Sequence, residues 1–336
     1  MVRGVLPLKT SEQRVTRIVL CYPVETRHVA QIAAAAPDAE VVDAGQERVA
    51  AEILAADVFC GHAKVPVPWD DVVRQGRLRW IQSSAAGLDH CLVPSVIGSQ
   101  ITVSSASGVL ADQVAEQTLA LTTGLTRGLP TFFRAQQKRE FIRRPTRDLT
   151  GATVGLVGFG GNGRRLAEVL APLKTRILAT DMFPIRKPDY VAELWPADRL
   201  DDLLAEVEFL ILAAPLTDQT RGMIDARAIG KMRRGSFLIN VARGPLVVEA
   251  DLVAALRSGQ LAGAGLDVTA EEPLPADSPL WEEPNVIITP HVGGQSATRI
   301  DDMTNFFCAN LRRWQAGERL ANLVDKRLGY PSPDET

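Results

Sequence analysis

A glycine-rich turn between two apolar runs is the sequence feature that most constrains what this chain can fold into. The run from Thr153 to Val157 leads into Gly158-Phe-Gly160-Gly-Asn-Gly163, a helical pattern follows, and a second apolar run ends at Asp181. Strand, glycine turn, helix, strand and acid in this order form the context in which a G-x-G-x-x-G turn binds a dinucleotide. The sequence therefore predicts a βαβ unit whose helix N-terminus receives the phosphates.

The residues of this turn have separate predicted tasks. Gly158 permits the tight turn, Gly160 lets a pyrophosphate approach the backbone, and Gly163 lets the helix pack close to the strand. Gly161 and Asn162 lie between the second and third of these glycines, just before the helical pattern that starts at Arg164. A tight turn that binds nothing is the alternative, and the correctly spaced acid argues against it.

The acid at the end of the second strand indicates which dinucleotide is bound. Asp181, 18 residues after Gly163, is placed to accept hydrogen bonds from a ribose diol and to repel a 2′-phosphate. This arrangement predicts NAD as the cofactor. Arg186 and Lys187 leave an alternative open, because their side chains could fold back toward a 2′-phosphate.

Length and composition are those of a soluble globular protein with two domains. The chain has 336 residues, of which 46% are hydrophobic and 23% charged. Its net charge of −3 provides no basic field, so we expect no nucleic-acid partner. No apolar run approaches the roughly 18 residues that span a bilayer, and no secretory signal pattern opens the chain. We therefore expect a cytoplasmic protein without a membrane partner.

Apolar runs alternate with helical patterns in both halves of the chain. In the first half the runs are Arg17–Cys21, Glu40–Val42, Asp57–Cys60, Arg79–Gln82 and Ile101–Ser104. Beyond the glycine turn, further runs are Phe209–Ala213, Ser236–Val241, Ala262–Val268 and Val286–Thr289. Strands that alternate with helices form parallel sheets covered on both faces. The predicted fold class is α/β, with doubly wound parallel sheets.

Individual helices carry recognisable end signals. A long helix is predicted from Val109 to about Arg127, and a final amphipathic helix from about Ser296 to Ala316. Asp225 is a predicted N-cap, and Gly259 is a predicted C-cap.

Three chemically useful side chains follow predicted strands, where open α/β sheets bind their ligands. Arg243 offers a planar, permanently charged fork suited to a 2-oxo acid. His291 could donate a proton in reduction and accept one in oxidation, since histidine titrates near neutrality. Glu272 could hold the imidazole in orientation. Together with a cofactor that carries hydride, these groups are the requirements of carbonyl reduction.

Other interpretations of these residues remain open from the pattern alone. His291 could be a packed loop residue, Arg243 could bind a helix C-terminus, and Glu271 competes with Glu272 as the acid. We expect no metal site, because one histidine and one carboxylate are too few ligands. The cysteines lack C-x-x-C spacing and are Cys21, Cys60, Cys91 and Cys308.

Several short motifs together are far more specific than the glycine turn alone. Besides that turn, they are Ser84-Ala-Ala-Gly87-Leu-Asp-His90, Ala214-Pro-Leu-Thr217, Ile239-Asn-Val-Ala-Arg243-Gly, Gly265-Leu-Asp267-Val, Glu272-Pro-Leu-Pro and Thr289-Pro-His291-Val-Gly. Over nearly its whole length the chain resembles the D-isomer-specific 2-hydroxyacid dehydrogenase family.

The resemblance implies roles for named residues. Arg243, Glu272 and His291 would be the catalytic trio, with Glu272 favoured because the family's acid precedes a proline. Ala86 and Gly87 would bind the substrate carboxylate through their backbone amides, beside Arg243 and His291. The implied NAD-binding residues, with Asp267 near the nicotinamide amide, are Gly158, Gly160, Gly161, Asn162, Gly163, Asp181, Ala214, Pro215, Thr220, Val241, Arg243, Asp267, His291 and Gly293.

The resemblance also implies an architecture and an assembly. Residues 105–291 would form a Rossmann NAD-binding domain. Residues 1–104 would form a flavodoxin-like catalytic domain that is discontinuous, because the C-terminal helix within residues 292–336 returns to it. Family members are usually homodimers through the segment near residues 108–150.

The implied activity is hydride transfer between NAD(H) and a small 2-oxo or D-2-hydroxy acid, such as glyoxylate or hydroxypyruvate. The segment Cys60-Gly-His62-Ala-Lys64-Val resembles a loop that carries arginine, at the place of Cys60, in phosphoglycerate-handling relatives. A phosphoglycerate dehydrogenase-like enzyme is therefore the alternative within the family. An alternative from another class is an NAD(H)-sensing binding protein similar to the C-terminal-binding-protein corepressors, and turnover of a 2-oxo acid would separate the two.

Overall fold

The computed structural model describes residues 15–331, which fall into two compact units. The first unit contains the described residues up to Ser84, together with Asp89–Ser104 and Thr304–Ala321. The second contains Ala85–Leu88, Ser105–Met303 and the described residues from Asn322. Residues 1–14 and 332–336, which the sequence-based domain bounds include, lie outside the described residues. Those bounds stay a prediction.

A five-stranded parallel sheet forms the centre of the first unit. Its strands are β1 (Thr16–Cys21), β2 (Ala39–Asp43), β3 (Val58–Gly61), β4 (Trp80–Ser83) and β5 (Thr102–Ser104). They lie in the order β2-β1-β3-β4-β5, which is the flavodoxin-like order. Every residue of β3 and β4 is buried, as expected for central strands covered on both faces.

A seven-stranded parallel sheet forms the centre of the second unit. Its strands are β6 (Thr153–Val157), β7 (Arg176–Asp181), β8 (Glu193–Pro196), β9 (Phe209–Leu212), β10 (Ser236–Asn240), β11 (Leu261–Leu266) and β12 (Val286–Ile288). The order is β12-β11-β10-β9-β6-β7-β8. The chain direction across the sheet reverses at β6, the switch point where such sheets bind ligands. A short antiparallel pair, β13 (Val324–Asp325) and β14 (Tyr330–Pro331), follows near the C-terminus.

Helices connect the strands of both sheets. In chain order they are α1 (Thr26–Ala35), α2 (Gly45–Glu52), α3 (Trp69–Gln75), α4 (Pro94–Gly98), α5 (Ala111–Thr126), α6 (Leu129–Gln137), α7 (Gly161–Leu170), α8 (Leu200–Glu206), α9 (Ala226–Lys231), α10 (Glu249–Ser258) and α11 (Arg299–Ala316). Within residues 15–331, none of them combines the length and the apolar composition that crossing a bilayer requires. Two parallel sheets with interleaved helices confirm the predicted α/β fold class.

Both predicted helix caps are confirmed. The Asp225 side chain accepts a hydrogen bond from the Ala228 amide at 2.8 Å and caps α9. Gly259 ends α10 with a φ of 70°, a left-handed conformation that glycine adopts without steric cost.

A buried polar network joins α11 to the sheet of the first unit. The Gln82 side-chain oxygen accepts hydrogen bonds from the Ser104 hydroxyl at 2.7 Å and from the Asn310 amide at 2.9 Å. Asn310 also exchanges hydrogen bonds with the backbone of Ala321, at 2.8 and 3.0 Å. Gln82, Ser104 and Asn310 have no exposed surface, so each of these bonds replaces one that water would otherwise make.

We predict that Asn310→Leu lowers the free energy of unfolding by about 1–3 kcal/mol, because the Ala321 amide and the Gln82 oxygen lose buried partners. Urea unfolding followed by tryptophan fluorescence measures the change. The control is Gln31→Ala, which removes an exposed hydrogen bond to Asn305 of α11. An equal decrease in the free energy of unfolding in the two variants would show that the buried network stabilises the protein no more than an exposed hydrogen bond does.

Candidate active site

The glycine turn after β6 is packed so closely that three of its glycines have no room for a side chain. Gly158 has a φ of 94°, and a Cβ there would lie 2.7 Å from the Ala214 nitrogen. A Cβ on Gly163 would lie 2.1 Å from the Gly158 carbonyl oxygen. A Cβ on Gly161 would lie 2.7 Å from the Gly108 Cα. Packing within the turn, and of the turn against Ala214 and Gly108, therefore excludes side chains at these positions.

Gly160 differs from its neighbours, because a Cβ there would have no atom within 4 Å. The protein alone gives no steric reason for glycine at this position. Gly160 is the N-cap of α7, and Asn162 is half-buried in the first turn. The first amides of a helix have no intrahelical acceptor, and they attract anions. The open space at Gly160 fits the close approach of a dinucleotide phosphate.

The Asp181 carboxylate is held beside this turn at the end of β7. One of its oxygens accepts a hydrogen bond from the Phe159 amide at 2.6 Å, and the other accepts one from the Phe183 amide at 2.9 Å. The negative charge is therefore fixed where the fingerprint requires its acid. Nearby, the Lys187 ammonium donates to the Val191 carbonyl at 2.7 Å.

The remaining candidate cofactor residues follow β9 and β10. Ala214 is buried, and the Thr220 hydroxyl donates to the Pro215 carbonyl at 2.7 Å. The Thr217 amide donates to the same hydroxyl at 2.8 Å, so Thr220 braces this turn. Val241 is half-buried immediately after β10.

Arg243 lies against the backbone of Gly87. Its carbonyl accepts a hydrogen bond from the Asn240 side chain at 2.9 Å, and its guanidinium donates to the Ala242 carbonyl at 2.7 Å. A Cβ on Gly87 would lie 1.6 Å from the Arg243 Nη2. The guanidinium can therefore lie next to the backbone of residues 86–87 only because residue 87 is a glycine. Ala86, beside it, is exposed.

His291 is paired with Glu272. The imidazole Nδ1 lies 2.8 Å from the Glu272 Oε2, and the other carboxylate oxygen accepts a 3.3 Å hydrogen bond from the Thr269 amide. Glu271, the competing acid, is exposed, and its backbone carbonyl accepts a hydrogen bond from the Thr269 hydroxyl. The structure therefore brings Glu272 to the histidine.

The loop that carries His291 is folded onto Asp267, which is 2% exposed. The Asp267 carboxylate accepts hydrogen bonds from the Thr289 hydroxyl at 2.6 Å, the Val292 amide at 3.0 Å and the Gly293 amide at 2.8 Å. Its backbone carbonyl accepts a hydrogen bond from the His291 amide at 2.8 Å. Asp267 thus holds the loop on both sides of His291.

Sequence reasoning missed Gln117 and Thr289 as members of this network. The Gln117 amide donates to the Thr289 hydroxyl at 2.8 Å and lies 3.5 Å from an Asp267 oxygen. No local pattern could have found this contact, because the two residues are 172 positions apart.

The cysteines of the described chain are free and buried. Burial raises the pKa of the Cys21 thiol to about 11 and that of Cys91 to about 12, and it also raises the pKa values of Cys60 and Cys308. At neutral pH these groups are therefore thiols and poor nucleophiles. Residues 15–331 contain no cluster of three or more histidine, cysteine, aspartate or glutamate side chains able to hold a metal ion.

Residues 119–293 match the family model described as "D-isomer specific 2-hydroxyacid dehydrogenase, NAD binding domain". A glyoxylate reductase from Thermofilum pendens is 33% identical over 259 residues, which cover 75% of this chain and 76% of the relative. A D-3-phosphoglycerate dehydrogenase from Mycobacterium tuberculosis is 31% identical over 83% of this chain, which spans about half (53%) of that relative's length.

Solved structures are similar over almost the whole chain. A D-isomer specific 2-hydroxyacid dehydrogenase from Xanthobacter autotrophicus Py2, in complex with NADPH and MES, has a TM-score of 0.81 at 30% identity and covers 94% of this chain and 100% of its own. An NADPH-dependent glyoxylate/hydroxypyruvate reductase from Sinorhizobium meliloti, in complex with NADP and sulfate, has a TM-score of 0.80 at 27% identity with the same coverage. The domain built on the glycine turn therefore binds a nicotinamide dinucleotide.

We predict that Gly163→Ala lowers the stability of the protein, whereas Gly160→Ala weakens NADH binding. In Gly163→Ala the methyl group meets the Gly158 carbonyl, so the ligand-free protein should lose about 1–3 kcal/mol of stability. In Gly160→Ala the methyl group meets no protein atom within 4 Å, so stability should change by less than about 0.5 kcal/mol while NADH binding weakens. Thermal unfolding and NADH fluorescence titration measure the two effects. Undiminished NADH affinity in Gly160→Ala would refute the assignment of phosphate approach to that glycine.

Proposed function

Because the chain belongs to the D-isomer specific 2-hydroxyacid dehydrogenase family, we propose that it transfers hydride between NAD(H) and a small 2-oxo or D-2-hydroxy acid. The observation that carries the proposal is the 2.8 Å contact between His291 and Glu272. A proton donor held by a carboxylate, in the same unit as a dinucleotide turn, is what carbonyl reduction requires. The bound nicotinamide supplies or receives the hydride.

Arg243 would bind the substrate. Its guanidinium lies against the Gly87 backbone, so a carboxylate there could accept hydrogen bonds from both the fork and the amides at Ala86 and Gly87. The fixed charge would also draw electrons toward the carbonyl oxygen and favour attack on the carbon.

His291 would exchange the proton. In reduction the imidazolium donates a proton to the carbonyl oxygen, and in oxidation the neutral ring accepts one from the hydroxyl. Glu272 contacts Nδ1, which leaves Nε2 for the substrate. The carboxylate orients the ring and stabilises its charged form, as the acid of a His–acid pair does.

The proposed substrate class is a small, unphosphorylated 2-oxo acid such as glyoxylate or hydroxypyruvate. By the resemblance of its loop, Cys60 would stand where phosphoglycerate-handling relatives carry arginine. The cysteine is fully buried within β3. Its thiol gives no positive charge to a phosphate, although His62 and Lys64 follow it in the chain. The similar glyoxylate reductase from Thermofilum pendens supports this choice.

Steady-state rates with NADH over a panel of 2-oxo acids test the proposal. Glyoxylate or hydroxypyruvate should give a higher kcat/KM than 3-phosphohydroxypyruvate. A preference for the phosphorylated acid would overturn the substrate class and favour a phosphoglycerate dehydrogenase-like enzyme. Tight NADH binding without turnover of any acid would overturn the enzyme proposal and favour an NAD(H)-sensing protein.

We also propose a homodimer through the segment near residues 108–150. In and after α6, Phe133 is 57% exposed and Phe141 is 93% exposed, and Leu129 and Ile142 are 38% and 41% exposed. Several exposed large apolar side chains grouped in one segment support an association surface there. The molecular mass in solution tests this proposal, and a monomer at micromolar concentration would contradict it.

We predict that His291→Gln lowers kcat by about 10²–10⁴-fold, the usual contribution of a general acid–base group. NADH affinity should be nearly unchanged, because the glycine turn and Asp181 provide most of the contacts to the nucleotide. Glu272→Gln should lower kcat by a smaller factor, and the double variant should cost much less than the product of the two. The kcat/KM for reduction should fall as pH rises, while that for oxidation should rise, because the two directions need opposite protonation states of His291. Multiplicative losses in the double variant would show that Glu272 acts independently of His291.

We predict a preference for NADH over NADPH, although two similar structures contain NADPH or NADP. The reason is the carboxylate of Asp181, which is fixed by two backbone amides and would repel a 2′-phosphate. Asp181→Asn keeps an oxygen for one of those amides and removes the charge. It should therefore shift the ratio of kcat/KM values toward NADPH by about tenfold or more.

The matched control for this charge removal is Asp189→Asn, because Asp189 is an exposed acid in the loop after β7. We expect Asp189→Asn to leave the cofactor ratio unchanged. A wild-type preference for NADPH would refute the assignment and would direct attention to the exposed Arg186.

A further inference from the structure

We infer that Gln117 and Thr289 are positioning residues that set the orientation of His291 through Asp267, an inference that rests on the proposed acid–base role of His291. Gln117 lies on α5, far in sequence from the loop it contacts. Its side chain reaches both the Thr289 hydroxyl, at 2.8 Å, and an Asp267 carboxylate oxygen, at 3.5 Å.

The chemistry of the three side chains fixes the direction of every hydrogen bond. The Thr289 hydroxyl donates its single proton to the Asp267 carboxylate across 2.6 Å, because a carboxylate oxygen accepts hydrogen bonds. The hydroxyl must then accept from its other neighbour, and only the NH2 group of Gln117 can donate. The chain of hydrogen bonds from Gln117 to Thr289 to Asp267 therefore runs in one direction only.

This chain ends on the backbone around His291. Asp267 accepts hydrogen bonds from the Val292 and Gly293 amides through its carboxylate, and from the His291 amide through its carbonyl. His291 has a φ of 54°, a left-handed conformation that is unfavourable for a residue with a side chain. The loop keeps this conformation because the hydrogen bonds from the His291, Val292 and Gly293 amides to Asp267 fix its backbone.

Helix α5 provides a rigid support for Gln117. A Cβ on Gly265 of β11 would lie 3.0 Å from the Leu121 Cβ, and a Cβ on Gly124 would lie 3.0 Å from the Ile287 Cδ1 of β12. Helix α5 therefore packs against β11 and β12 at a distance that glycine at positions 124 and 265 permits. A displacement of His291 of about 1 Å can cost a hundredfold in rate, so a support of this kind has a direct consequence for catalysis.

The test compares Gln117→Leu and Thr289→Val with the wild-type protein. Both changes roughly keep the side-chain volume and remove the hydrogen bonds. We expect kcat to fall by about tenfold to a hundredfold in each, with the KM for the 2-oxo acid and the NADH dissociation constant nearly unchanged. Thr289→Ser, which keeps the hydroxyl, should retain most of the wild-type kcat even if Thr289→Val folds poorly. The matched control is Gln75→Leu, the same change at an exposed glutamine of α3, outside the segment proposed for the dimer.

The double variant Gln117→Leu/Thr289→Val should be no slower than the slower single variant, because both changes break one chain of bonds. A rate-independent measurement uses NMR of isotope-labelled histidine. The chain has four histidines, and the spectrum of His291→Gln identifies the signal of His291. We expect Gln117→Leu to shift that signal and to leave the other three in place.

Two results would overturn the inference. One is an unchanged His291 signal together with a wild-type kcat in both single variants. The other is loss of kcat in Thr289→Ser equal to that in Thr289→Val, which would assign the effect to packing. Failure of the proposed function is distinguishable, because a wild-type protein without turnover still reports the position of His291 in the NMR spectrum.

Discussion

The buried carboxylate of Asp267 determines how the chain folds at the carboxyl ends of β11 and β12 in the second unit. A charge that is 2% exposed must find hydrogen-bond donors within the protein, since an unpaired buried carboxylate is very costly. The donors are two consecutive amides and one hydroxyl of the segment after β12. That segment must therefore fold over the end of β11. Gly293 is part of the same constraint, because a Cβ there would lie 2.8 Å from the carboxylate.

The parallel strands bring the other candidate site residues to the same side of the sheet, at the carboxyl ends of the strands. Asp181 ends β7, Arg243 follows β10, and the glycine turn follows β6. Each group comes from a different strand, yet all strands of the sheet end on the same side. The sheet thus sets the layout, and local hydrogen bonds set the orientation of each group.

The strands with continuous apolar sequence could be predicted, and so could the caps at Asp225 and Gly259, because those signals are local. Strand β8 (Glu193–Pro196) gave no such signal, since it lies at the sheet edge with exposed and half-buried positions and needs no apolar run. Helix α6 (Leu129–Gln137) was not predicted, because a stretch rich in lysine and arginine begins within it, at Arg134, and suggests a solvated connecting segment. The choice between Glu271 and Glu272 depends on the backbone path of a loop, which residue pattern does not determine. Gln117 could not be found at all, because its role exists only where α5 meets a loop 172 residues away.

The exposure of the His291–Glu272 pair shows why positioning matters more here than the strength of the pair itself. The two side chains are 46% and 39% exposed, and an ion pair in contact with water contributes little stability. An exposed pair of this kind therefore adds little to the rigidity of the loop that carries it. The geometry must come from the backbone on each side, where the Thr269 amide holds Glu272 and Asp267 holds the loop of His291. The buried network therefore provides rigidity that the exposed pair lacks, and it leaves the imidazole exposed.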